Sequence, residues 1–246
     1  MRRIELCISP VMYDLREIRD GHCTVVVDIL RASTSICAAF MAGAECVVPL
    51  ASLDELPFYR DLGYILASER DGKKVEGAVC GNSPTEYLTM DLKGKRLAYS
   101  TTNGTVAILK ASSSRRLFVG AFANISALVD AVVACPQDIV VLCAGWKEAV
   151  SLEDTLFAGA FISRLLSRSD GDGQPLYAMA NDAAVMAVDL FAAAGDDLYA
   201  YCGKATHVER LRRLDYDNDI RFALRMDTCR LVPQMDPSEA PRLVCG

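Results

Sequence analysis

Short apolar runs alternate along the chain with longer segments of helical period. The clearest run spans residues 24–30, Thr-Val-Val-Val-Asp-Ile-Leu, and is almost unbroken and β-branched, as expected of a strand covered on both faces. Residues 4–9, 45–50, 64–68, 96–100, 116–120 and 138–143 read as further strands. Helices are expected over 35–42, closed by Gly43, over 105–111 and over 124–134. A capping box of Ser52 with Glu55 starts another, and Ser83-Pro84-Thr85-Glu86 has an N-cap, a first-turn proline and a box acid in order. The last third reads as mostly helical. Ser151 caps a helix to about residue 167, Asp170-Gly171-Asp172-Gly173 breaks it, and a buried helix is expected over 177–194. Helices through the His207 and Asp219 regions follow, then a strand over 229–232 and a loose tail after Pro233. This alternation predicts a three-layer α/β/α fold with a largely parallel or mixed sheet, as one domain over 1–246.

Composition narrows the function. The chain has 246 residues, 52% of them hydrophobic and 24% charged, which suits a packed globular protein. A net charge of −6 argues against a nucleic-acid partner, which calls for a basic field. The apolar stretch 177–194 contains Asn181, Asp182 and Asp189, so no membrane span is expected. Ten cysteines form no CxxC pair and several fall inside apolar patterns, which points to a reduced, cytoplasmic protein without structural zinc. The hydrophobic excess favours a homodimer, although a large α/β core explains it nearly as well.

Three strand-like runs end in small polar residues and then enter a helix, and ligands of open α/β sheets bind at such strand ends. Asp28 closes the first run, where a buried carboxylate calls for a cation or hydrogen-bond donors. Either a Mg²⁺ ligand, a nucleophile for a phosphoryl group or a turn-stabilising acid fits. Arg31 has the fork to bind an oxyanion, or to form an ion pair. Ser33, Thr34 and Ser35 could cradle a phosphate with the helix N–H groups, although capping needs only one of them. Ser100-Thr101-Thr102-Asn103-Gly104-Thr105 offers a second such cradle. Glu153 and Asp154 sit in a first helical turn, where acids also simply complement the dipole. With only His22 and His207 present, a Ser-His-Asp triad is disfavoured, and His207 is a candidate anion donor or general acid. Walker A, GxGxxG, GxSxG and HExxH patterns are absent.

Together these segments resemble the 2-phosphosulfolactate phosphatase (ComB) family. The resemblance is carried by Val27-Asp28-Ile29-Leu30-Arg31-Ala32-Ser33-Thr34, Ser68-Glu69-Arg70-Asp71-Gly72 and Gly81-Asn82-Ser83-Pro84-Thr85-Glu86-Tyr87. It continues through Ser100-Thr101-Thr102-Asn103-Gly104-Thr105, Cys143-Ala144-Gly145, Leu152-Glu153-Asp154, Asp182-Ala183-Ala184, His207 and Asp219-Ile220. It implies an α/β, Mg²⁺-dependent hydrolase of the small anionic phosphomonoester 2-phospho-3-sulfolactate, on a route to coenzyme M. Carried over by position, Asp28, Arg31 and His207 become catalytic candidates. Ser33, Thr34, Ser35, Arg70, Asn82, Ser83, Thr101, Thr102 and Asn103 become substrate contacts, and Asp28, Glu69, Glu153 and Asp154 metal ligands. Two departures stand out. Ala78-Val79-Cys80 replaces an aromatic–acidic pair, and Val208 replaces a glycine after the histidine. They leave room for another phosphorylated hydroxy acid as substrate, or for a non-catalytic metabolite-binding protein. Attack by Asp28 and attack by metal-bound water both fit. All these readings require Asp28, Thr102 and Asp154 to converge.

Overall fold

The structure, a computed structural model, describes residues 1–19, 21–236 and 241–245. Within them one sheet contains β1 (Arg2–Cys7), β2 (Cys23–Val27), β3 (Cys46–Pro49), β4 (Ile65–Arg70), β5 (Lys73–Lys74) and β6 (Arg96–Ser100). It also contains β7 (Arg116–Gly120), β8 (Ile139–Cys143), β9 (Tyr177–Met179), β10 (Pro233–Met235) and β11 (Leu243–Cys245). Their spatial order is β5-β4-β6-β3-β11-β10-β7-β2-β8-β1-β9. The helices are α1 (Pro10–Leu15), α2 (Ala32–Met41), α3 (Leu56–Asp61), α4 (Pro84–Tyr87), α5 (Gly104–Lys110) and α6 (Ile125–Val133). α7 (Leu152–Leu166), α8 (Asp182–Ala194), α9 (Leu198–Cys202), α10 (Thr206–Arg213) and α11 (Asp217–Ala223) follow.

The central strands are buried on both sides, which is why their sequences are continuously apolar. Alternate residues go to opposite faces. Val25, Val27, Ile139 and Val141 pack with Leu156, Phe157 and Phe161 of α7. Val26, Val140 and Leu142 pack with Tyr13 of α1, Ile36 of α2 and Ile108 of α5. Helices thus cover both faces of a mixed sheet, the expected three-layer arrangement.

The sheet consists of two parallel blocks. β7, β2, β8, β1 and β9 pair in parallel, as do β3, β6 and β4. The β10–β11 hairpin lies between the blocks and is antiparallel to β7 and to β3. This corrects the reading of the C-terminus. Residues 229–232 are not a strand, whereas Pro233–Met235 and Leu243–Cys245 are. Three-residue strands carry no period of their own, and their partners are distant in sequence. Residues 237–240 and 246 of the expected loose tail lie outside the described residues.

A second correction concerns 177–194. Its first part is β9, paired with β1, and α8 begins only at Asp182. Asn181 is the N-cap, its side chain accepting from the Ala184 N–H at 3.2 Å. Nor is that helix buried: of α8 only Ala184 and Ala187 are, and Met186 is well exposed. No helix among the described residues is long and apolar enough to cross a membrane. All ten cysteines are free thiols.

The two hydroxyl-rich loops meet through their helices. α2 starts at Ala32, three residues earlier than predicted, and its N-terminal end abuts that of α5. A methyl group on Gly104 would lie 2.6 Å from Asp28 Oδ2 and closer still to Ala32 Cβ. Glycine at this position lets the α5 backbone reach the Asp28 carboxylate.

Candidate active site

Asp28 follows β2 directly and is buried. Its loop is tied in place by its own neighbours. The Asp28 carbonyl accepts from the Ser33 N–H and from Ser33 Oγ, both at 2.8 Å, while Thr34 Oγ1 donates to the Ile29 carbonyl at 2.8 Å. Ser35 Oγ donates to the Asn82 carbonyl at 3.1 Å. The three hydroxyls expected to hold phosphate are therefore spent on the backbone, and none of them lines the cleft.

That cleft is bounded by Asp28, Leu30, Arg31, Glu69, Gly72, Asn82, Thr101, Asn103, Trp146, His207, Arg210 and Leu211. Its free space is about 20 Å³, room for one water molecule. A wider groove of about 710 Å³ lies between α8, α9 and α11 but contains none of the predicted site residues. Convergence of buried ionisable groups, rather than size, locates the chemistry.

Asp28 Oδ1 accepts from the Ala32 N–H at 3.2 Å, and Oδ2 has no hydrogen-bond partner among the described residues. Burial pushes the Asp28 carboxyl up to about 7. The His207 charge and the Ala32 N–H oppose that rise, while Glu69 and Glu153 add to it. Glu153, in the first turn of α7, is also buried. His207 Nδ1 lies 2.9 Å from its Oε1, and its Oε2 is buried without a partner. Because a carboxylate only accepts, Nδ1 carries the proton and Nε2 is the ring nitrogen left free.

The other predicted acids are better satisfied. Asp154 accepts from the Ile29 N–H at 2.8 Å and the Gly145 N–H at 3.0 Å, bracing the loops after β2 and β8. Burial, with Glu153 and Asp28 nearby, still pushes its carboxyl well above the usual range. Glu69 accepts from the Thr102 N–H at 2.9 Å, Thr102 Oγ1 at 3.0 Å and the Gly72 N–H at 2.6 Å. Glu69, which holds Thr102, and Asp154 both lie close enough to Asp28 for their charges to act on one another, although no hydrogen bond joins the Asp28 carboxylate to either.

Arg31 lines the cleft but is already bound. Its guanidinium donates to Asp219 at 2.7 Å and to the Gly72 carbonyl at 3.2 Å, and stacks 3.8 Å from the Tyr216 ring centroid. Ser83 Oγ donates to Asp219 at 2.7 Å, so it stands behind Arg31 rather than in the cleft. Arg70 donates to the Glu69 carbonyl at 2.7 Å and Ser100 Oγ at 2.9 Å, also outside the cleft. Asn82 Oδ1 accepts from Tyr99, and Asn103 Oδ1 accepts from the Lys147 N–H at 3.2 Å. Thr101 Oγ1 accepts from the Thr105 N–H at 3.2 Å. His22 is engaged elsewhere, 3.1 Å from the Tyr13 hydroxyl.

Trp146, Arg210 and Leu211 were not foreseen. Trp146 follows Gly145, whose φ of 64° and proximity to the Ala149 carbonyl suit glycine, and its ring centroid is 4.9 Å from that of His207. Single residues without a local pattern gave no signal for them. Of the two departures from the family pattern, Val208 is core and Ala78-Val79-Cys80 does not reach the cleft, Val79 being exposed and Cys80 buried beside Ala67.

The sequence profile of a family described as 2-phosphosulpholactate phosphatase matches residues 7–237. A relative from Caldanaerobacter subterraneus, named "Probable 2-phosphosulfolactate phosphatase", is 34% identical over 225 residues, which is 89% of this chain and 90% of the relative. One of the same name from Picosynechococcus is 36% identical over 221 residues, covering 87% of this chain and 89% of the relative. Another from Prochlorococcus marinus is 34% identical over 236 residues, covering 94% and 96%. With the match running through every loop that builds the cleft, the chain belongs to the 2-phosphosulfolactate phosphatase family, a family of phosphoric monoester hydrolases.

Proposed function

We propose that this chain hydrolyses 2-phospho-3-sulfolactate to 3-sulfolactate and phosphate in a Mg²⁺-dependent reaction. One observation carries the reading beyond family membership. Among the described residues Glu153 keeps Oε2 buried without a hydrogen-bond partner and Asp28 is engaged only through Oδ1; Asp28 lines the cleft with His207, and Glu153 stands behind the His207 ring. A buried carboxylate left in that state is costly unless a cation or a reacting group completes it.

The donor set fits magnesium. Among the described residues no three His, Cys, Asp or Glu side chains are grouped to hold a metal by themselves. Mg²⁺ needs only one or two carboxylates, with substrate phosphate and water as its remaining ligands. Asp28 and Glu153 would hold it, with Glu69 and Asp154 bracing the loops around them. Bound there, Mg²⁺ would offset charge on the phosphoryl oxygens.

The chain's own groups then have distinct tasks. Asp28 either attacks phosphorus, forming an aspartyl phosphate that water cleaves, or takes the proton of an attacking water. With Nδ1–H held by Glu153, His207 in its imidazolium form donates its Nε2 proton to the leaving alkoxide as the P–O bond breaks, and Nε2 recovers a proton from the water that supplies the new P–O bond. Rapid-quench trapping of a phosphoenzyme separates the two roles of Asp28. Sulfolactate released in this way would supply coenzyme M synthesis, the route that the family resemblance implies.

Phosphate release from a panel of phosphorylated hydroxy acids, with Mg²⁺ and with chelator, tests the reading. The expected result is phosphosulfolactate as the best substrate and loss of turnover on chelation. Tight binding without phosphate release would make the chain a binding protein. A better substrate lacking the sulfonate would reassign the specificity.

A further inference from the structure

Two arginines line the cleft, and they differ in what their guanidinium groups have left to give. Arg31 is bound on three sides by Asp219, the Gly72 carbonyl and the Tyr216 ring. Arg210 is not. It lies on α10, three residues after His207 and so on the same helix face. Its Nη2 donates to the Asp71 carbonyl and stands 3.6 Å from the Asp71 carboxylate. Its guanidinium carbon is 4.1 Å from the Trp146 ring centroid. Its Nη1 is buried and has no hydrogen-bond partner among the described residues. A buried charged donor without an acceptor is expensive, and a planar fork stacked on an aromatic ring is preorganised for an oxyanion.

We propose that Arg210 binds the second anionic group of the substrate, its sulfonate or carboxylate, beneath Trp146. The phosphoryl end then faces Asp28 and His207, and Arg210 is the residue that distinguishes a multiply anionic phosphoester from a simple one. This inference rests on the proposed function and names the specificity residue of that site. Because the cleft holds only about 20 Å³ of free space, its lining has to part when substrate enters.

The chain's single tryptophan is Trp146 itself, so intrinsic fluorescence reports directly on the site. Wild type, Arg210→Lys and Arg210→Gln are titrated in Mg²⁺ with 3-sulfolactate, with isethionate (sulfonate without carboxylate) and with lactate (carboxylate without sulfonate). Wild type should give a saturable change with sulfolactate. Arg210→Gln should weaken binding at least tenfold. Arg210→Lys should weaken it at least threefold, because a point charge cannot present the fork, and it decides the matter if the Gln variant does not fold. Loss of isethionate binding alone assigns the sulfonate to Arg210, and loss of lactate binding alone assigns the carboxylate. In phosphate release from phosphosulfolactate, KM should rise more than kcat falls. Equal affinity in wild type and both variants, or no saturable response in wild type, overturns the assignment. A wild type that binds as expected but releases no phosphate overturns the proposed function and leaves the role of Arg210 standing.

Discussion

Asp219 and the Asp28–Glu153 pair are buried to a similar degree, yet they are built for opposite ends. Asp219 receives the Arg31 guanidinium at 2.7 Å, Ser83 Oγ at 2.7 Å and the Thr85 backbone N–H at 3.4 Å, with Thr85 Oγ1 on the same oxygen as Ser83. Both of its oxygens are matched, as befits a hub joining α11 to α2 and α4. Among the described residues Glu153 keeps Oε2 buried and unmatched, and Asp28 is engaged only through Oδ1. Burial alone therefore does not mark a reactive acid. The proposed function gives that role to the unmatched oxygen.

The largest stability effect should come from breaking the matched hub. Arg31→Met or Asp219→Asn leaves a buried partner uncompensated and should destabilise the fold by about 3–5 kcal/mol. In thermal unfolding that is a fall of roughly 10 °C for a chain of this size. A change of less than ~1 kcal/mol, the range of an exposed pair, would remove the distinction between hub and site.

A pH series sharpens the contrast from the other side. The Asp28 carboxyl titrates at about 7 in the folded protein against an ordinary value of 3.8. Between those values the folded state keeps a proton that the unfolded chain has lost. Stability of the metal-free protein should therefore fall as pH rises from about 4 to 7 and level off above. Asp154, raised in the same direction, contributes with the same sign. Asp28→Asn should flatten the slope and exceed wild type in stability at pH 8 by about 1–4 kcal/mol, since each pKa unit is worth about 1.4 kcal/mol. Urea unfolding with chelator at pH 4.5, 6 and 8 measures it, and a wild-type stability that rises through that window would contradict the burial of an unmatched acid.

The smallest effect concerns the hydroxyls. Thr34 Oγ1 donates to the Ile29 carbonyl, so Thr34→Val should cost about 1 kcal/mol in stability and change KM less than threefold. A tenfold rise in KM would return that hydroxyl to the substrate.

How much of this was readable from the residues follows from the range of the forces involved. The caps at Ser52 and Ser83 and the strand expected over 24–30 are local matters of β-branching and backbone satisfaction; the caps stand where expected, and the strand forms over Cys23–Val27 but stops before Asp28, where the chain turns into the site loop. The hairpin Pro233–Met235 with Leu243–Cys245 and the strand Tyr177–Met179 depend on edges supplied by distant segments, so local pattern did not reveal them. At the site, Asp28, Glu69, Asn82, Thr101, Asn103 and His207 were legible as polar punctuation after apolar runs or through the family resemblance, and they line the cleft. Ser33, Thr34 and Ser35 carried the same signal but serve the backbone, because a hydroxyl beside a loop carbonyl finds that partner first. Trp146 and Arg210 come from separate elements and meet only after folding.

The most direct test is the turnover number of Asp28→Asn with phosphosulfolactate in Mg²⁺, measured as phosphate release on protein shown to be folded by circular dichroism. If the unmatched oxygens of Asp28 and Glu153 make the reaction centre, kcat should fall at least a thousandfold, while Trp146 fluorescence still reports binding of sulfolactate. A folded Asp28→Asn protein that turns over at the wild-type rate would contradict the account.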